Sequence, residues 1–216
     1  YKITEYVENN NFGKFELEPL ERGFGNTIGN ALRRVMLSSM PGSAIVAVKI
    51  DGVMHEFQTI EGVVEDVTAI ILNLKNVVLK NNSEEEQTIY LHADTEGVVT
   101  AGDIKTNESV EVINKDQVIA TLAKGGKLDM KLLVRNGRGY VPGDKNKQYI
   151  ENAKLGFIPI DALYSPIEKI SYEVENARVG QDASYDKLVL YVNTNGSLRP
   201  EEAIALGSKI LIEHFN

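Results

Sequence analysis

Apolar positions along the chain follow two rhythms, one helical and one alternating. Ile28, Leu32, Val35 and Met36, with Ser39, recur at three- and four-residue spacing, which predicts an amphipathic helix. Asn26 or Thr27 can cap its start, and Pro41-Gly42 ends it. A second helix is expected from Pro200, a good first-turn residue, followed by Glu201 and Glu202, whose charge suits a helix N-terminus. Its apolar residues, Ala203, Ile204, Leu206, Gly207, Ile210, Leu211, Ile212 and Phe215, run nearly all the way round. That is wider than a surface helix needs. A third helical pattern runs from Glu61 to Leu74, through Val63, Val67, Ile70 and Ile71.

The rest reads mostly as strands. Phe15 and Leu17 alternate with Lys14, Glu16 and Glu18 until Pro19, and Leu128, Met130, Leu132 and Val134 alternate with polar neighbours as a half-exposed strand should. Further strands are expected at Ile45–Ile50, Val77–Lys80, Thr88–His92, Val110–Ile113, Val118–Leu122, Ile167–Val174 and Leu188–Val192. Asp51-Gly52, Gly125-Gly126, Asn136-Gly137 and Asn195-Gly196 are turn signals, and Asn81–Gln87 and Gly143–Asn152 read as solvated loops. Strands between helical ends suggest an α+β chain whose first and last segments pack together around an inserted β-rich domain.

Composition narrows the chemistry. The 216 residues include no cysteine, which excludes a disulfide framework, a thiolate metal site and cysteine catalysis. His55, His92 and His214 are too far apart in sequence for an i, i+4 metal pair. No apolar run approaches the roughly 18 residues of a membrane span, and no signal-peptide pattern opens the chain. A cytoplasmic setting without a membrane is expected. With 31 acidic against 23 basic side chains the net charge is −8, so the chain as a whole lacks the basic surface of a nucleic-acid binder. Contact with DNA is expected only indirectly or through a local patch.

No catalytic constellation emerges. Gly23, Gly25 and Gly29 miss the dinucleotide fingerprint, which would need glycine where Ile28 stands. Gly126-Lys127 fails as a P-loop, because Leu128 follows and Thr121 stands at the first glycine position. Glu65-Asp66 and Glu201-Glu202 read as solvated helix charges, and no G-x-S-x-G elbow occurs. No metal or cofactor site is expected. Arg33-Arg34 remains, in the middle of the first helix, opposite an apolar face. By spacing alone such a pair keeps a helix soluble. Arginine is also enriched in interface hot spots, which makes an anchor for another protein the functional alternative.

The residues around that pair change the weighting. The run Leu17–Gly42, LEPLERGFGNTIGNALRRVMLSSMPG, closely resembles the opening signature of the bacterial RNA polymerase alpha-subunit family. The resemblance continues through Ile50–Phe57 (IDGVMHEF), Leu72–Lys75 (LNLK), Gly137–Pro142 (GRGYVP), Tyr164–Pro166 (YSP), Thr194–Gly196 (TNG) and Pro200–Ile204 (PEEAI). It covers essentially the whole chain in one order, and it is to the amino-terminal assembly domain. The family's smaller DNA-contacting C-terminal domain is not expected in these residues.

The resemblance implies a discontinuous dimerisation domain, an antiparallel sheet plus two helices, over residues 1–42 and 167–216. Residues 43–166 would form the inserted β-rich domain. It implies a non-catalytic scaffold that homodimerises and docks the beta and beta-prime subunits. The family's beta-contacting arginine corresponds to Arg34, beside Arg33, and other docking positions fall on Leu37, Lys75 and Ile160. The glycines of Gly23–Gly29 then let the chain turn sharply into the helix. Some alpha subunits carry a strongly acidic loop in the insert, whereas Lys145–Glu151 is mixed in charge here.

The second helix itself points to a dimer. Ala203, Gly207, Ile210 and Leu211 form one apolar face, and Ile204, Leu206, Ile212 and Phe215 spread round the rest. One sheet can cover one side, and a two-fold partner is the commonest cover for the other. Gly207 fits a close helix–helix approach, with Ile28, Leu32, Val35 and Met36 of the first helix as companions across the axis.

Overall fold

The computed structural model describes residues 2–8, 11–150 and 155–215. The chain opens with β1 (Lys2–Val7) and β2 (Phe12–Leu20), followed by α1 (Phe24–Ser38) and β3 (Pro41–Ile50). After α2 (Val67–Lys75) come β4 (Leu79–Asn81), β5 (Gln87–Ala93), β6 (Gly97–Thr100), β7 (Ile104–Lys105), β8 (Val110–Val112) and β9 (Val118–Leu122). Then follow β10 (Leu128–Arg138), β11 (Tyr140–Val141), α3 (Gly143–Ile150), β12 (Ile158–Pro159) and β13 (Ala162–Leu163). β14 (Ile167–Val179), β15 (Asp182–Thr194) and α4 (Pro200–Phe215) close the chain. The fold is α+β, and its strand pairs are antiparallel. Among the described residues no helix is long and apolar enough to cross a membrane.

Contacts divide the chain into two compact units, Tyr1–Met40 with Ser165–Asn216, and Pro41–Tyr164. The first holds a sheet in the order β1-β2-β15-β14, on which α1 and α4 pack. Strand alternation sends Phe15, Leu188, Leu190 and Val192 toward the helices, where they bury with Leu32, Met36, Ala203 and Ile210. Charges share the other face of the ladder: Lys187 Nζ lies 3.2 Å from Glu16 Oε2 and 3.9 Å from Glu18 Oε2. Pro19 does not end β2 as the sequence suggested. It falls where the β2–β15 register shifts between Asp186 and Leu188, a position that needs no ladder donor.

The second unit is built on a sheet in the order β12-β3-β10-β5-β7. α2 contributes Val67, Ile70, Ile71 and Leu74 to the core on one face. Leu133 meets Val46, Ala162 and Tyr164 on the other, so β10 is covered on both sides there rather than half exposed. Three further expectations fail in this unit. The helical reading from Glu61 is shortened to Val67, because Gly62 takes a φ of +80° and the Glu65 carboxylate accepts from Thr121 N at 2.7 Å. Asp66 then caps the helix, accepting from Ala69 N at 2.8 Å. Asn136-Gly137 is no turn but lies inside β10: a Cβ at Gly137 would stand 2.7 Å from the Tyr164 ring. Gly143–Ile150 is a helix, not a solvated loop, and positions 151–152 lie outside the described residues.

Candidate docking surfaces

The Arg33-Arg34 pair is placed by how α1 is held. Gly23 turns the chain at a φ of 93°, and no side chain from Asn26 or Thr27 caps the helix. The Asp186 carboxylate does so instead, from β15, accepting from Gly23 N at 2.9 Å and Gly25 N at 3.1 Å. A carboxylate also suits the positive end of the helix dipole. Gly25 and Gly29 lie flat on the sheet. A Cβ at Gly25 would meet Val174 at 2.8 Å, and one at Gly29 would meet the Tyr172 ring at 2.6 Å. Those glycines with Leu32 and Met36 form the buried stripe.

Helical geometry then turns Arg33, Arg34 and Leu37 outward. All three are exposed, and Leu37 shows 38% of its surface. Neither guanidinium forms an ion pair among the described residues.

The proposed dimer residues separate into two sets. Leu32, Met36, Gly207 and Ile210 are buried within the chain's own unit. A Cβ on Gly207 would stand 2.7 Å from Met36 Cγ, so the close approach that this glycine permits is between α1 and α4 of one chain. The Leu32 and Met36 side chains of α1 are thus taken up within the chain's own unit. Ile28, Val35, Ile204 and Leu211 are half-buried. Ile212 and Phe215 stand 61% and 84% exposed at the end of α4.

In the insert, Lys75 ends α2, and its ammonium does more than complement the helix dipole. Lys75 Nζ lies 2.9 Å from Asp161 Oδ2, and Asp161 Oδ1 accepts from Gly143 N at 2.7 Å. The Gly143 N–H, the Lys75 ammonium and a hydrogen bond from Tyr140 hold the Asp161 carboxyl below its ordinary pKa. Ile160, expected on a docking surface, is only 3% exposed and belongs to the core of its unit. Its backbone N donates to Val46 O at 2.9 Å, and its O accepts from Asn146 Nδ2 at 2.8 Å. Asp161, Asn146 and Asp186 were missed from the sequence, since no short-range pattern announces a carboxylate that bonds 86 or 163 residues away.

No group of three or more His, Asp or Glu side chains that could hold a metal occurs among the described residues.

The sequence of the β-rich unit, Pro41–Tyr164, interrupts that of the sheet-and-two-helix unit, which is an α+β organisation with a β-rich insert. The family model described as RNA polymerase Rpb3/RpoA insert domain matches residues 48–165. A DNA-directed RNA polymerase subunit alpha of Moorella thermoacetica is 58% identical over 204 residues, 94% of this chain and 64% of that protein. Its counterpart in Oceanobacillus iheyensis is 54% identical over 215 residues, 100% of this chain and 68% of that protein. The chain therefore belongs to the DNA-directed RNA polymerase alpha-subunit family and corresponds to the amino-terminal domain. It spans about two thirds of the length of these relatives.

Proposed function

We propose that the chain is a non-catalytic scaffold subunit of a bacterial DNA-directed RNA polymerase. In this reading it acts in the cytoplasm, homodimerises, and docks the beta and beta-prime subunits to begin core-enzyme assembly. Residues of Tyr1–Met40 and Ser165–Asn216 serve as the dimerisation domain, and Pro41–Tyr164 as the insert. DNA is met through the completed complex.

The observation that carries the reading is the outward face of α1. Two exposed arginines and Leu37 sit on a helix whose opposite face is locked to its own sheet by Gly25, Gly29, Leu32 and Met36. A guanidinium offers five donors in a planar fork, suited to carboxylate or carbonyl groups of another protein. Locking the helix fixes that fork in advance and lowers the ordering cost of docking. For the dimer, the support is the remaining apolar stripe of α4, from Ile204 through Leu211 to Phe215. A second copy presenting the same surface would cover it.

The test is Arg34→Ala in a chain co-expressed with beta. Truncating a buried, charge-assisted contact typically costs about 2–5 kcal/mol. Capture of beta should be lost while folding and self-association persist. Capture at wild-type yield would contradict the role of Arg34.

A further inference from the structure

We propose that Asp161 is a positioning residue for the docking surface of the insert. It holds the Lys75 ammonium and the start of α3 in one arrangement, and the docked subunit reads that arrangement rather than a free lysine. The inference rests on the docking role proposed above and names the residue through which Lys75 acts.

The carboxylate ties two separate segments to its own. It receives Lys75 Nζ from the end of α2 at 2.9 Å and Gly143 N from the first residue of α3 at 2.7 Å. The Tyr140 hydroxyl, from β11, adds to the electrostatic hold on it. The neighbouring residue fixes the same segment from the other side, since buried Ile160 accepts through its backbone O from buried Asn146 of α3 at 2.8 Å. Lys75 and Ile160, one charged and one apolar, thus converge on a single junction. Ile160 cannot offer its side chain to a partner, yet it helps hold the segment that carries Asp161.

An ammonium already engaged by a carboxylate adds little to a new contact unless the first pair breaks. What the pair does supply is rigidity, which lowers the ordering cost of binding. Asp161 also lines a groove of about 480 Å³ together with Phe57, Pro142, Asp144, Phe157 and Pro159. Its bond to Gly143, which lines the same groove, therefore fixes part of that exposed surface, and Lys75 holds the same carboxylate.

The chain is co-expressed with its own large polymerase subunits, and the amount captured is measured for Lys75→Met, Asp161→Asn and the double variant. Asn keeps an acceptor for Gly143 N and removes the charge. Each single variant should lower capture of the beta-prime subunit by about tenfold, and the double variant should be no worse than either. The exchange Lys75→Asp with Asp161→Lys should recover part of the loss, and thermal midpoints near wild type separate docking from unfolding. If Asp161→Asn captures normally while Lys75→Met does not, Lys75 meets the partner directly and the positioning role is overturned, with the docking reading intact. If neither variant changes capture, the docking role of Lys75 falls as well. Should Asp161→Asn unfold the insert, Tyr140→Phe removes the hydroxyl that acts on the carboxylate and carries the test. Reduced capture at an unchanged midpoint supports the role, and wild-type capture overturns it.

Discussion

Gly29 leaves no room for a methyl group, because the Tyr172 ring and Leu188 occupy that space at 2.6 and 2.9 Å. Gly29→Ala should gain helix propensity but lose more to overpacking, a net destabilisation of about 1–3 kcal/mol in thermal unfolding. A neutral or stabilising result would mean that α1 can lift from the sheet at little cost. His92 offers a pH-dependent residue. It faces Asp129 across the β5–β10 ladder and bonds to it, with Asp94 3.5 Å away, and these carboxylates raise its pKa above the ordinary 6.5. A raised pKa stabilises the fold fully below the unfolded value and loses that contribution as pH rises through the folded one. The thermal midpoint gap between wild type and His92→Gln should therefore be widest below the ordinary pKa of 6.5 and close as pH rises through the raised folded value. A constant gap would show that the imidazolium contributes nothing. At this scale the sequence displayed the Arg33-Arg34 pair on a polar face, but not the partners of His92. Gly29 was visible as a glycine, but its function depends on a tyrosine far along the chain.

α1 was legible in its apolar spacing, yet its cap was not. Asn26 and Thr27 have the right chemistry and the wrong position, since the helix starts at Phe24 and the Asp186 carboxylate reaches it from β15. Asp186→Ala should cost about 1–2 kcal/mol, the usual loss for an N-cap acceptor, whereas Thr27→Ala should cost little. Equal effects in chemical denaturation would restore the local cap. α2 was read too long because Val63 falls on the helical stripe, although that segment is tied to β9 instead: Val63 bridges Leu122, and Glu65 accepts from Thr121 N at 2.7 Å. α3 was missed for the opposite reason. Its sequence, GDKNKQYI, has no apolar stripe. It is held by polar bonds from Gly143 N to Asp161 and from Asn146 to Ile160 O, and periodicity does not detect such bonds. The strands were more visible, because alternation at Leu128–Val134 and at Phe15–Leu17 reflects a real inward face.

At the level of the complete molecule, the α+β class and a strand-rich middle between α1 and α4 could be read from the chain, although β1 ahead of β2 could not, and the dimer residues could only be sorted by seeing which faces the chain buries for itself. Ile210 is 6% exposed and packs in its own core, so Ile210→Glu would unfold the unit rather than split a dimer. Leu211→Glu or Ile212→Glu is the informative change. The unmodified chain should scatter light as a species of about 48 kDa, twice 23.9 kDa, and either variant should shift that mass toward the monomer while keeping strand signal in circular dichroism. An unmodified chain that stays monomeric at micromolar concentration would remove the dimer from the proposal.

The composition of the assembled complex bears most directly on whether this chain is a polymerase scaffold. When the chain is co-expressed with its own beta and beta-prime subunits, native mass spectrometry of the purified product should show two copies of the chain with one of each large subunit. A chain that purifies alone, or large subunits that associate without it, would contradict the scaffold role.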